Sequence, residues 1–192
     1  MRNFLIIPIL FIFLVSCSNS EDFDIPKISM LEKLEEHSNQ FRTGIYSYDT
    51  GIHVAIGFGI ANSIMVEGEG GNIIIDTTDD VSQAKEVLSE FQKINRNPIK
   101  AIIYTHNHGD HVFGASEFYN AQEEKPLVIA HSTTAEKVEK ILGIINPIIT
   151  LRSGKMFGTN LDDDELINVG LGPYLSAGRS SPGYIAPTMT FE

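Results

Sequence analysis

The sequence predicts an α/β domain, and three observations carry that prediction. Residues 44 to 76 break into short β-rich runs punctuated by glycine: residues 45–48, 53–56, 61–66 and 72–76. The apolar period then changes from two to 3.6, with Ala84, Val87, Leu88, Phe91 and Ile94 on one helical face. Two short apolar runs, residues 99–104 and 127–130, are each followed by a helix-like segment, the pattern of buried strands in strand-helix units.

Taken from the start, residues 1–20 read as an address. Arg2 precedes an unbroken apolar run from Phe4 to Val15, and small polar residues follow. This is a secretory signal pattern, and the run is well short of the roughly 20 residues that cross a bilayer. Leu14-Val15-Ser16-Cys17 resembles the bacterial lipoprotein processing site, in which the cysteine becomes the acylated first residue. On that resemblance residues 1–16 are a signal peptide and Cys17 is the lipidation site. The protein is then exported and anchored to a membrane by lipid. Ser18, where an inner-membrane retention signal would carry Asp, implies the outer membrane facing the periplasm. A plain signal peptide cut near Ser20, with Cys17 idle, is the alternative. Residues 17–40 read as a tether with a helical turn or two at Met30, Leu31 and Leu34, and residues 41–192 as the folded domain.

Within that domain, Glu67-Gly68-Glu69-Gly70-Gly71 predicts a hairpin turn. Gly57 and Gly59 lack the lysine-serine pair and following helix of a phosphate loop, so they read as a turn or bulge. Asp80 with Gln83 predicts a capping box for the first long helix. A second helix is expected near Asp110. A third is expected from about Thr133 to Leu142, with Thr133 and Glu136 as its capping box and Gly143 as its stop. Beyond Asn146 the periodic signals fade into turn-rich sequence.

Charge and cysteine content bound the chemistry. Fourteen Lys and Arg against twenty-five Asp and Glu give a net charge of −11, with no basic run, which excludes a nucleic-acid surface. One cysteine cannot build a cysteine-rich zinc module, so any metal has to be held by imidazole and carboxylate.

Those donors cluster in Thr105-His106-Asn107-His108-Gly109-Asp110-His111. At a strand end, residues two apart project to one side, so His106 and His108 can reach one ion together. Gly109 allows a sharp bend, after which Asp110 and His111 can face a second ion. Imidazole with carboxylate suits zinc and leaves positions open for water, the catalytic pattern. The plainer reading is a solvated histidine-rich loop that binds metal adventitiously.

The pattern His-x-His-x-Asp-His resembles the signature of the metallo-β-lactamase superfamily. That resemblance implies an αββα sandwich binding one or two metals at the edge between its sheets, of which this chain would hold an incomplete, N-terminal half to two-thirds. It also implies His106, His108, Asp110 and His111 as metal ligands, Asp110 as the catalytic carboxylate, and Asp76 as a hydrogen-bond acceptor beneath the ligands. A turn-forming role for Asp76 is the alternative. Asn62 matches the same strand pattern, though turn chemistry explains it equally well. Ala61-Asn62, residues 102–108 with Phe113-Gly114, Arg152, Met156-Phe157-Gly158 and Gly170-Leu171-Gly172-Pro173 resemble the alkyl sulfatase branch, with Ala115 a mild departure.

By that resemblance the complete enzyme hydrolyses alkyl sulfates with two zinc ions. Its ligand set is finished by two glutamates and a histidine from the second half. After His131 this chain has no histidine, Asp162, Asp163, Asp164 and Glu165 read as a solvated loop, and His131 reads as a hydrogen-bonded structural residue. His37 and His53 need no special role. The expectation is a zinc-dependent hydrolase of a small anionic ester, with these 192 residues at most feebly active and weak in metal affinity, and with a homodimer expected only of a full-length form. A lactonase, thioesterase or β-lactamase of the same fold, or a non-catalytic zinc-binding lipoprotein, are the alternatives.

Overall fold

The computed structural model describes residues 27–158, 161–162, 166–169, 171 and 182–192. The expected signal segment and Cys17 lie outside the described residues. In chain order the elements are α1 (Lys27–Ser38), β1 (Gly44–Tyr48), β2 (Ile52–Ile56), β3 (Ser63–Gly68), β4 (Gly71–Ile75), α2 (Val81–Ile94) and β5 (Ile99–Ile103). They continue with α3 (Gly109–Val112), α4 (Ala115–Asn120), β6 (Leu127–His131), α5 (Thr134–Leu142), α6 (Asn146–Met156) and β7 (Met189–Phe191).

The seven strands form one sheet in sequential order. β1 to β4 are an antiparallel meander, and β4 to β7 run parallel. Alternation decides which face packs. Met65, Ile74, Ile102 and Val128 are neighbours across β3 to β6, and all four are buried. Ala84, Val87, Leu88 and Phe91 of α2, with Val112, Ala115 and Phe118 of α3 and α4, cover that face. Each of the large side chains contributes about 1.5–3 kcal/mol by leaving water.

The opposite face carries a second in-register row, Ile64, Ile75, Ile103 and Ile129, half-buried. A sheet apolar on both faces is one built to be covered on both, as a layered sandwich requires. The described residues supply one sheet and its helical layer. That is the α/β fold expected, in part.

Several local expectations are corrected. The tether contains a three-turn helix, α1, in place of one or two turns. Asp80 caps α2, its carboxylate accepting from Ser82 N (2.7 Å) and Gln83 N (3.0 Å), but Gln83 reaches back to Asp79 N (3.3 Å), one residue outside a capping box. Thr133 does not cap α5 with its side chain. Its hydroxyl is held instead by His131 Nδ1 at 2.9 Å. The helix expected near Asp110 is broken into α3 and α4 at Gly114, because that glycine lies against the loop that follows β4. Its N–H donates to Thr78 O (3.3 Å). α6 and β7 were not foreseen: α6 has β-branched residues, Gly154 and no side-chain cap, and three-residue β7 exists only by pairing with β6.

Parallel pairing positions the site. Ile75 and Ile103 are register partners at the C-terminal ends of β4 and β5, so the loops beginning at Asp76 and Tyr104 leave the sheet side by side. A Cβ on Gly114 would overlap Thr77 O and lie 2.6 Å from Ala84 Cβ. Gly114→Ala is therefore expected to lower stability by about 3 kcal/mol in urea unfolding, through forced separation of α4 from α2.

Candidate metal centre

The loop after β5 is built from its backbone outward. Tyr104 is buried, and its hydroxyl donates to Ile185 O at 2.8 Å, anchoring the start of the loop. His108 sits at the N-cap of α3, and His111 N donates to His108 O at 3.1 Å. This single turn folds the motif back on itself. The ring of His106 lies 4.6 Å from that of His108 and 4.0 Å from that of His111, centroid to centroid. Strand alternation is not what brings them together, because β5 has already ended at Ile103; the tight turn does it.

Asp76 organises the cluster. It holds a left-handed backbone at φ 57°, a conformation Asp tolerates better than most residues. Its N–H donates to Ile103 O (2.9 Å), and its carbonyl accepts from Ser63 Oγ (2.7 Å). Its carboxylate accepts from Thr105 N (2.9 Å), Thr105 Oγ1 (2.7 Å) and His111 Nδ1 (2.7 Å). With its proton on Nδ1, His111 turns Nε2 toward Asp110, 3.3 Å from Oδ2. The carbonyl of His111 is also gripped, by Thr77 N (2.8 Å) and Thr77 Oγ1 (3.1 Å).

Thr105 was not singled out in the sequence, and it orients a second imidazole. Its hydroxyl proton goes to Asp76, which can only accept, so its oxygen accepts from His106 Nδ1 at 3.0 Å. Nε2 of His106 is left with its lone pair outward. A hydroxyl residue immediately before the first histidine was the available signal.

Electrostatics follow from this packing. Burial opposes charge on His111, but its hydrogen bonds to Asp110 and Asp76 outweigh burial and push the imidazolium up to about 9. Burial also works to raise Asp110, and the hydrogen bond from His111 overcomes it, so the carboxyl stays below its usual range. Burial and the neighbouring rings of His111 and His108 hold His106 below the ordinary imidazole value. Near the same edge, burial pushes Asp79 up to about 7, against the N–H of Ile60 (3.3 Å to Oδ2) and helped by the charge of Asp110. Among the described residues, Asp79 Oδ1 is buried without a partner.

The donor chemistry fits a borderline metal: three imidazoles, one ionised carboxylate, and a carboxylate beneath them fixing a tautomer. Among the described residues, no group of three or more His, Cys, Asp or Glu is arranged to enclose an ion outright. His111 is instead tied up as an ion pair with the two aspartates. Of the other residues considered, Asn62 is exposed ahead of β3. His131 bonds Thr133 and packs on Phe191. His53 lies between Ser47 and Glu67, and His37 against Phe41. Asp163, Asp164 and Glu165 lie outside the described residues.

Residues 56–179 match the profile of the metallo-beta-lactamase superfamily. The chain belongs to the metallo-beta-lactamase superfamily. Its alkyl sulfatase branch is where the relatives fall. The chain is 42% identical over 133 residues to a linear primary-alkylsulfatase of Pseudomonas sp. (strain ATCC 19151), a match covering 67% of this chain and 25% of that protein. It is 26% identical over 158 residues to an alkyl/aryl-sulfatase of Saccharomyces cerevisiae, covering 78% of this chain and 24% of that one. The solved structure of the stereoselective inverting sec-alkylsulfatase Pisa1 from Pseudomonas sp. has the same fold, with a TM-score of 0.72 at 22% identity over 84% of this chain and 26% of that chain. This metallo-beta-lactamase chain thus spans about a quarter of the length of these relatives.

Two outcomes are expected. Asp76→Asn keeps the left-handed backbone but cannot accept from both Thr105 and His111 as before, so zinc affinity measured by competitive chelation should fall about 10- to 100-fold while the far-UV spectrum is unchanged. In metal-free protein, Asp79 and His111 both carry folded-state values above their unfolded ones, so each contributes stability at low pH that is lost as pH rises, through about 7 and about 9 respectively. The urea midpoint should decline from pH 5 to 9, and Asp79→Asn should flatten the part of that decline below pH 8.

Proposed function

We propose that the chain carries the His106–His111 portion of the active site of a zinc-dependent hydrolase acting on alkyl sulfate esters. The observation that carries the proposal is the gathering of three imidazole rings and Asp110 within one turn, at the C-terminal edge of parallel strands, with His111 oriented by Asp76. The 42% identity to a linear primary-alkylsulfatase supports the substrate class. Two zinc ions, the lipid anchor at Cys17 and an outer-membrane location facing the periplasm belong to the same proposal.

His106 and His108 would hold one ion, and Asp110 with His111 a second. When bound, zinc lowers the pKa of water to about 7 and screens an anionic ester. The residues of the chain do the rest. Thr105 keeps the Nε2 lone pair of His106 facing outward, and Asp76 keeps Nδ1 of His111 protonated. His111 gives up its Nε2 proton as metal enters, since only neutral imidazole ligates. Asp110, already ionised, is placed to orient the attacking water and accept its proton. Water is added across the ester, yielding an alcohol and sulfate. The net charge of −11 repels an alkyl sulfate at long range, so local positive charge at the loop has to outweigh it.

The test is a panel of dodecyl sulfate, a homoserine lactone and a cephalosporin, assayed with zinc and after chelation. Sulfate release from dodecyl sulfate should be the fastest reaction, should stop on chelation, and should fall about 100-fold or more in His108→Ala. Faster turnover of the lactone or the cephalosporin would overturn the substrate class, and turnover that survives chelation would overturn the metal.

A further inference from the structure

Beside the metal loop the surface opens into a groove of about 550 Å³. That is within the roughly 300–1,000 Å³ range of small-molecule sites. His108 and Asp110 form one end of it, and α5 and α6 form its walls. Ile141, Ile145 and Ile149 line it and are half-buried, whereas their neighbours Leu142, Ile144 and Ile148 point to solvent. Three isoleucines four residues apart make an apolar strip, and from Ile145 to Met156, which also lines the groove, the wall runs about 16 Å at 1.5 Å per residue.

The rim has the opposite charge to the rest of the chain. Lys137, Lys140 and Arg152 border the groove against the one carboxylate of Asp110, in a protein of net charge −11. Lys140 is engaged by Glu136 at 2.5 Å. Arg152 spends only its Nε–H, on the weak acceptor Met156 Sδ at 3.2 Å, so among the described residues its terminal nitrogens remain for an anion. An apolar strip beside a cationic rim, opening on metal ligands, matches an amphiphile with an anionic head and an unbranched tail.

We propose that this groove between α5 and α6 is the hydrocarbon-chain subsite and that it sets chain-length preference, with Arg152 and Lys137 holding the anionic head beside the metal loop. The inference rests on the hydrolase reading above, but its test does not use turnover or metal. Metal-free protein is titrated, below micelle-forming concentrations, with 1-butane-, 1-hexane-, 1-octane- and 1-decanesulfonate, which keep the head and tail but cannot be hydrolysed. Binding is followed by calorimetry and by amide shifts in α5 and α6.

Affinity should rise about three- to fourfold for each added methylene and level off when the strip is covered. Arg152→Ala should weaken every chain length by about the same factor, near tenfold, and leave the slope intact. Ile149→Asp should flatten the slope; this residue lies on the groove wall and outside the buried core, and Ile149→Ala should give an intermediate slope in a fold checked by circular dichroism. Affinity independent of tail length, an equal slope for alkyltrimethylammonium ions of the same tails, or an unchanged slope in Ile149→Asp would overturn the proposal. Failure of the hydrolase reading would instead show as an absence of zinc-dependent sulfate release, with these titrations unaffected.

Discussion

The Asp76 carboxylate is the interaction on which the rest of the site depends. It sits where two parallel strands end together, in a backbone conformation that few side chains accept, and every polar group of the residue is used. One oxygen fixes the backbone at the start of the histidine loop. The other fixes the Thr105 hydroxyl and the His111 ring, and Thr105 passes the orientation on to His106. Two imidazoles in the cluster therefore have their tautomers set by one buried acceptor. Thr78, two residues on and β-branched, is also left-handed at φ 69°, so the whole Asp76–Thr78 turn is held by its surroundings against local preference.

That surrounding structure is the packed face of the sheet. Strain in a turn persists only when neighbours over-determine it, and here Gly114 and the start of α2 press directly on Thr77 and Thr78. Burial on α2 and α4 is thus linked to metal-site geometry through backbone contacts. The same burial explains why the bare cluster is an ion pair. With water largely excluded, His111 keeps its proton for two aspartates, and binding a metal means exchanging that proton for a divalent charge.

Much of this was legible in the sequence, for stated reasons. The glycine-bounded β-runs, the amphipathic α2 and the strand before the histidines have strong periods, and the structure reproduces them within a residue or two. The donor set was legible because three histidines and an aspartate in six residues are rare outside metal loops, and Asp76 was legible by its place at a strand end. What escaped was whatever depends on contacts distant in sequence. Thr105 matters only because Asp76 lies beside it, 29 residues earlier in the chain. Thr133 fails as a cap only because His131 competes for its hydroxyl. α6 is marked by no amphipathic period, and β7 owes its extended form to β6. The groove beside the loop was hidden for the same reason, since it depends on the packing of α5 and α6.

The account stands or falls on imidazoles of the 106–111 turn taking up a metal ion. X-ray absorption at the zinc edge of the metal-loaded protein tests this directly. It should show nitrogen and oxygen ligands at about 2.0–2.1 Å with the multiple scattering of imidazole, and that imidazole signal should diminish when His106 and His108 are both replaced. A shell with a sulfur ligand near 2.3 Å, or an imidazole signal unchanged by the double replacement, would contradict it.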